Sequence, residues 1–210
     1  MFPSPPKEAV VMTATHHHIS SGSTRATIRV IAAAEPVVRS VAARRVLATL
    51  RIAFGFTFLW AFFDKLLALG YATGKADNGT VDRFGTAAWI HGGSPTEGFL
   101  KFGADGPFKG FYNNIAGAWW ADWLFMIGLF GIGLALTLGI GMRIAAVSGA
   151  FLYLLMWSVV LPPANNPIID EHILGGITVV ALALTQAGDT WGLGELWSRT
   201  ELVQRFPWLR

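Results

Sequence analysis

The chain has 210 residues, of which 53% are hydrophobic and only 14% are charged, with a formal net charge of +3 and no cysteine. Soluble domains carry about 25% charged residues, so this composition favours a protein that resides in a membrane. The lack of cysteine excludes disulfides, thiolate catalysis, cysteine-ligated zinc and iron–sulfur clusters on this chain. The sequence has no glycine-rich phosphate loop and no interleaved basic and aromatic stretch, which argues against nucleotide and nucleic-acid partners.

Residues 1–38 are rich in proline and small polar residues, and we expect them to form a disordered cytoplasmic tail. The segment lacks the apolar core and the cleavage site of a secretory signal. Its run of His16, His17 and His18 could bind a metal ion, but a flexible run of histidines more often lies free in solvent. We therefore predict no metal site.

Four apolar segments follow, at about residues 46–69, 123–140, 144–161 and 168–186. At 1.5 Å per residue, a helix of some 20 residues covers the ~30 Å hydrocarbon core of a bilayer. The short turn at residues 141–143 forces the middle two helices into an antiparallel hairpin. We therefore predict an all-α fold, an integral membrane four-helix bundle within a domain of residues 39–187.

Residues 70–121 form a long connection between the first and second spans. Glycines and prolines interrupt regular structure there, yet the segment holds many aromatic residues. A structureless loop of this length is unusual in a compact fold, so we expect an ordered cap of short helices. Residues 188–210 are expected to form an amphipathic, tryptophan-containing tail.

The basic residues predict how the chain lies in the membrane. Seven Lys and Arg residues lie in the region up to Arg51, three lie in the C-terminal tail, and the connection at residues 161–172 has none. The positive-inside rule then places both termini in the cytoplasm and the cap on the outer face. We expect a multi-pass protein of the cytoplasmic membrane, in contact with the lipid bilayer and able to form a homo-oligomer.

Charged residues inside the first span need partners or a route to water. Asp64 and Lys65 lie one to two turns from its outer end. We expect Lys65 to pair with Asp170 or Glu171, or else to snorkel to the interface. Snorkelling to lipid phosphates also explains Arg51, which lies near the inner end.

Small residues repeat every four positions on the second span, at Gly133, Thr137 and Gly141. This spacing lets two helices approach closely in a membrane, where no hydrophobic effect drives them together. We interpret these residues as helix-packing positions.

The stretch from Asn165 to His172 concentrates polar residues between the third and fourth spans. Asn166 followed by Pro167 suits the start of a helix, and the two acids after them suit its positive end. Capping does not explain His172, which could relay protons, bond a quinone carbonyl, ligate a metal or make a plain hydrogen bond. A haem held between His91 and His172 is a further alternative, although nothing in the sequence fixes the distance between them.

These motifs resemble the DoxX-like family of small four-helix membrane proteins, in its actinobacterial form. The resemblance covers about residues 45–187. The residues that carry it are, in chain order, Phe58 to Lys65, Gly70 to Thr73, Trp89 to Leu100, Gly106 to Phe108, Trp120 to Met126, Gly139 to Arg143 and Pro162 to His172.

The family takes its name from a membrane subunit of an archaeal thiosulfate:quinone oxidoreductase. Other members are associated with membrane-bound redox-stress complexes, alongside a superoxide dismutase and a sulfurtransferase. The resemblance implies a membrane subunit of a quinone-linked redox system, with quinone as substrate, soluble redox proteins as partners and no specified cofactor. The alternatives are a non-catalytic scaffold that docks soluble redox enzymes and a small-solute carrier.

The ionisable residues near the outer face define the candidate site of this redox system. We expect Lys65 to orient an anion or a quinone oxygen, and His172 with Asp170 to handle protons, so these three residues are the catalytic candidates. The residues expected to bind the quinone or other substrate are Asp64, His91, Asn165, Asn166 and Glu171.

Overall fold

The computed structural model describes residues 36–76, 78–164 and 166–210. The expectations for the disordered tail up to residue 35, for the three consecutive histidines and for Asn165 lie outside the described residues. Apart from one isolated bridge between Lys75 and Val81, the regular structure of the described residues is helical. Its α-helices are α1 Val41–Leu67, α2 Glu97–Phe102, α3 Lys109–Ile115, α4 Trp119–Leu138, α5 Met142–Val159, α6 Glu171–Leu184, α7 Gly194–Ser198 and α8 Glu201–Arg205.

Three of the described helices, α1, α4 and α5, are long and apolar enough to cross a membrane. Their lengths of 27, 20 and 18 residues correspond to about 40, 30 and 27 Å. The fourth predicted span appears as α6, which is apolar but has only 14 residues, or about 21 Å. α6 begins at Glu171, three residues later than the sequence indicated.

The long helices pack as antiparallel neighbours, α1 against α4, α4 against α5 and α5 against α6. Their common core contains buried residues from all four, among them Phe58, Met126, Leu136, Val179 and Leu182. Apolar side chains also cover the exposed sides of these helices, which is compatible with contact with a lipid bilayer.

Small residues set the separation of α1 and α4. A Cβ at Gly133 would lie 2.9 Å from the backbone nitrogen of Leu59, and one at Gly55 would lie 2.4 Å from Thr137 Oγ1. The packing roles of Gly133 and Thr137 are therefore confirmed. Gly141 differs, because nothing lies within 4 Å of its Cβ position; it has φ +59° and serves the turn between α4 and α5.

The connection between α1 and α4 contains the short helices α2 and α3, which pack on the end of α5. Leu100, Tyr112 and Val159 belong to one buried cluster, and the Tyr112 hydroxyl lies 2.5 Å from Ser158 Oγ. The backbone nitrogen of Asp105 donates to the carbonyl of Val159 at 2.9 Å. These contacts order the connection around the end of α5.

The segment after α6 folds back on the turn between α4 and α5. Arg210 forms an ion pair with Asp189 at 2.8 Å, and its main-chain oxygen accepts from the backbone nitrogen of Arg143 at 2.9 Å. The Trp197 indole donates to the carbonyl of Leu209 at 2.8 Å. The C-terminal tail is thus a folded part of the described chain.

Charge is distributed unevenly between the two ends of the helix assembly. The basic end comprises residues 36–51, 139–143 and 187–210; its described residues include eight arginines and three acids. The opposite, acidic end comprises residues 64–122 and the start of α6, with five basic and seven acidic described residues.

Candidate functional site

Asp170 begins α6 and holds His172 in place. Its Oδ1 accepts from the backbone nitrogens of His172 at 3.0 Å and Ile173 at 3.1 Å, which satisfies free donors of the first helical turn. Its Oδ2 lies 2.8 Å from His172 Nδ1. The side chains of Asp170 and His172 are only 9% and 12% exposed, so one carboxylate both caps the helix and orients a largely buried imidazole.

This pair has the geometry of a hydrogen-bonded carboxylate–imidazole couple. With Nδ1–H donating to the carboxylate, Nε2 is left as the reactive nitrogen. Burial alone would raise the pKa of Asp170, but hydrogen bonds from the His172 side chain and the backbone of Ile173 and His172 outweigh it. The pKa of Asp170 is therefore lowered from its ordinary value, which keeps the carboxylate charged beside the imidazole.

Tyr153 on α5 lies beside this pair and was not anticipated from the sequence. Its ring is 6.3 Å from the His172 ring and 5.4 Å from the ring of Phe58, in edge-on contacts. A Cβ at Gly175 would lie 2.6 Å from Tyr153 Cζ, so α6 admits this ring only because position 175 is glycine. A phenol in an otherwise apolar span, with the Gly175-Gly176 pair on the next helix, was the available signal.

Two polar atoms beside the Asp170 carboxylate, the Nε2 of His172 and the hydroxyl of Tyr153, take no part in holding the fold. No described residue hydrogen-bonds His172 Nε2 or the Tyr153 hydroxyl, and neither atom is fully enclosed. Both can therefore bond a ligand. We call Asp170, His172 and Tyr153 the histidine cluster.

Glu171 adjoins the histidine cluster but is exposed. Ligand atoms of Asp170, Glu171 and His172 lie within 4.8 Å of one another, as they could around a metal ion. Both Asp170 oxygens, however, already accept hydrogen bonds within the chain, and proximity of acids alone does not make a metal site.

Asp64 lies apart from the histidine cluster and organises the chain after α1. Its carboxylate is 1% exposed and accepts from the backbone nitrogens of Tyr71 at 3.2 Å and of Ala72 and Thr73 at 2.9 Å each. Successive backbone N–H groups that converge on an anion form a nest. This explains a buried carboxylate at the end of α1 without any ligand.

Lys65 does not pair with Asp170 or Glu171, so this expected ion pair is wrong. Its Nζ instead lies over the ring of Phe125, 5.9 Å from the centroid, in cation–π geometry. Asp170 cannot approach it as a partner because its carboxylate is committed to His172 and the start of α6. The half-buried Lys65 ammonium has no hydrogen-bond or ion-pair partner among the described residues.

His91 and Asn166 are placed by local contacts. His91 is exposed, and its Nδ1 lies 3.0 Å from the carbonyl oxygen of Gly85; no contact with His172 is found in the described chain. Asn166 Oδ1 accepts from the backbone nitrogens of Ile168 and Ile169, both at 2.9 Å. Asn166 therefore forms a side-chain turn and is not the cap of α6, a role that Asp170 takes.

Asp122, at the start of α4, is a second anchor that sequence reasoning missed. It is 7% exposed, and its Oδ1 accepts from Ser94 Oγ at 2.8 Å and from Thr96 Oγ1 at 2.6 Å and nitrogen at 3.2 Å. It ties the residues before α2 to α4. An acid in the first turn of a span was the available signal.

Arg51 contradicts the expectation of snorkelling, because it is fully buried. Its guanidinium donates to the carbonyls of Ala187 at 3.1 Å, Thr137 at 2.9 Å, Thr190 at 3.3 Å and Trp191 at 3.1 Å, and also to that of Leu136. The negative end of α4 and these carbonyls compensate the buried charge. Arg51 therefore joins α1, α4 and the C-terminal segment.

The described helices and the histidine cluster define an all-helical protein. Three of its helices are long and apolar enough to cross a membrane, and a largely buried Asp–His pair lies at one end. No family model, curated protein or solved structure matches the chain.

Proposed function

We propose that the chain is a four-span protein of the cytoplasmic membrane, with α1, α4, α5 and α6 as its spans. The basic end would face the cytoplasm with both termini, and the connection of residues 70–121 would cap the outer face. The excess of eight arginines over three acids at the basic end supports this orientation. The short α6 would reach across the membrane with the apolar residues that flank it, or by local thinning of the bilayer.

Within that topology we propose a membrane subunit of a quinone-linked redox system, with the histidine cluster as its quinone site. The observation that carries this proposal is the 2.8 Å contact between His172 Nδ1 and Asp170 Oδ2, which leaves Nε2 free at a membrane boundary. A quinone carbonyl requires a hydrogen-bond donor, and its reduction requires protons. The cluster offers both beside apolar walls.

Reduction of a quinone to a hydroquinone adds two electrons and two protons. Protonated His172 would donate a proton from Nε2 to the quinone oxygen, while Asp170 stabilises the imidazolium and fixes its ring. The Tyr153 hydroxyl would hydrogen-bond the head group. Water at the outer face would then return a proton to His172.

The resemblance to the DoxX-like family suggests thiosulfate as the electron source. Two thiosulfate ions, one quinone and two protons would give one tetrathionate and one hydroquinone. Thiosulfate would be drawn to the Lys65 cation, with His91, Asn165 and Asn166 as candidate hydrogen-bond donors. Asp64 and Glu171, the other residues expected to bind substrate, carry carboxylates that would repel the anion, and Asp64 is already bonded to backbone nitrogens. Alternatively, a soluble partner protein with its own redox centre would deliver the electrons.

Tryptophan fluorescence can test quinone binding, because Trp157 donates its indole N–H to the carbonyl of Ile168 near the start of α6. We expect a short-chain ubiquinone analogue to quench the purified protein, and His172→Ala and Tyr153→Phe to weaken binding about tenfold, the value of one good hydrogen bond. Tyr71→Phe, an exposed tyrosine, is the matched control. Equal quenching of all four proteins would exclude the histidine cluster as the site.

A non-catalytic scaffold is the second candidate function. It is favoured by exposed aromatic side chains on the connection and at the start of α4: Phe102 is 82% and Trp119 is 74% exposed, a pattern typical of contact surfaces. Cross-linking in membranes should then recover a soluble redox enzyme with the protein, and Phe102→Ser should prevent it. A small-solute carrier, the last alternative, would show flux in proteoliposomes without electron transfer.

A further inference from the structure

A groove runs along the exposed side of α5 at the basic end. It is lined by Arg143, Ile144, Val147, Ser148, Phe151 and Trp208 and has a volume of about 440 Å³, within the size range of small-molecule sites. We call it the α5 groove. Its last lining residue, Phe151, lies two residues before Tyr153 but on nearly the opposite side of the helix: Phe151 is exposed, whereas Tyr153 packs against α6. The groove is therefore separate from the proposed quinone site.

The floor of the α5 groove suits a hydrocarbon chain. Ile144, Val147 and Phe151 are 45%, 74% and 60% exposed, and residues three or four apart lie on the same side of a helix. From Arg143 to Phe151 the groove follows α5 for about 12 Å. A narrow apolar strip of this length accommodates the part of one extended acyl chain that is nearest its head group.

The head of the groove carries an uncompensated cation. Arg143 Nη1 donates to the carbonyl of Pro207 at 3.3 Å, and no side-chain carboxylate of the described chain lies within ion-pair distance of it. The other donors of its guanidinium remain available, and their fork matches phosphate oxygens. Trp208, 60% exposed, lies beside it as tryptophan does at membrane interfaces.

We propose that the α5 groove binds one anionic phospholipid, with its phosphate on Arg143 and one acyl chain over Val147 and Phe151. The excess of arginine at this end favours a lipid with net negative charge over a zwitterionic one. The same excess disfavours a second copy of the chain, because two basic ends would repel each other.

Native mass spectrometry of the purified full chain, with phosphatidylglycerol or phosphatidylcholine added to the detergent, tests this assignment. We expect one phosphatidylglycerol per chain, held about tenfold more strongly than phosphatidylcholine, as one charge-assisted contact provides. Arg143→Gln should abolish the preference. Arg45→Gln, an exposed arginine at the same end, should retain it.

A second pair of variants tests the apolar groove separately from the charge of Arg143. Val147→Trp fills the groove and should release the lipid, whereas Ile127→Trp, exposed on α4 and away from the residues that line the groove, should not. This pair also tests whether a lipid occupies the α5 groove if Arg143→Gln does not fold. Equal retention of both lipids by the wild type, equal loss in both arginine variants, or a dimer without lipid would each overturn the proposal.

Discussion

The guanidinium of Arg51 donates to the carbonyl oxygen of Thr137 at 2.9 Å and so ties α1 to the end of α4. The same group reaches Ala187 and Trp191 after α6. Replacing a buried arginine that is solvated by carbonyl oxygens leaves those acceptors without partners. Arg51 therefore connects α1, the end of α4 and the segment after α6 through one buried side chain.

Arg51→Met should lower the free energy of unfolding by about 3 kcal/mol or more, at about 1–3 kcal/mol for each buried acceptor left unpaired. Arg45→Met, at an exposed position of the same helix, should change it by less than about 0.5 kcal/mol. Reversible unfolding in mixed micelles, followed by tryptophan fluorescence, measures both. Similar values for the two variants would show that Arg51 is not a structural anchor.

Gly133→Ala should destabilise the contact between α1 and α4 by about 1–3 kcal/mol, the usual cost of overpacking. The added Cβ would meet the backbone of Leu59 at 2.9 Å. Gly131→Ala on the same helix has nothing within 4 Å of its Cβ position and should be neutral or slightly stabilising. If the two variants unfold at the same detergent composition, α1 and α4 do not approach each other closely at Gly133.

Asp122→Ala should loosen the connection at residues 94–102, because Ser94 and Thr96 would lose their acceptor. Amide hydrogen exchange of this segment should become faster, while that of α4 changes little. Asp105→Ala provides the control, since this side chain accepts only from the neighbouring Gly106 nitrogen. Unchanged exchange in Asp122→Ala would mean that the connection is held by its apolar contacts alone.

Asp170 should make stability depend on pH in the acid range. Its pKa in the folded protein is lowered from an ordinary value of about 3.9, so its contribution is present at neutral pH and lost as pH falls below about 4. Asp170→Asn should be less stable than the wild type by about 1.5 kcal/mol at pH 7, the value of a hydrogen bond to a charged group.

Thermal unfolding of these two proteins between pH 7 and pH 3 gives the comparison. The two melting temperatures should converge as Asp170 becomes protonated in the wild type. A constant difference over the whole range would assign the effect of the substitution to packing and not to the charge of Asp170.

The sequence was sufficient to predict the long apolar helices and the ordered connection, because periodicity and composition are local properties. It could not predict the partners of Arg51, since these belong to residues 136–137 and 187–191, which only the folded chain brings together. For the same reason, the sequence wrongly predicted an ion pair between Lys65 and Asp170 or Glu171. His172 and Asp170 were identified correctly as neighbours, because they lie two residues apart at the start of a helix.

Some anchors were nevertheless within reach of sequence reasoning. Asp64 is followed within ten residues by the glycine-bounded loop Gly70 to Gly74, a pattern that permits backbone amides to converge on a carboxylate. Tyr153 on α5 packs directly against Gly175 on α6. A phenol in a span opposite a glycine pair therefore indicates a placed ring, but neither pattern reveals what the ring binds.

Mass analysis of lipids extracted from the protein purified in mild detergent tests the proposed quinone site most directly. The wild-type protein should carry close to one quinone per chain, and His172→Ala should carry little while remaining folded. Tyr71→Phe should retain the wild-type amount. Wild-type protein that is folded and free of quinone, or a His172→Ala variant that retains it fully, would contradict a quinone site at His172.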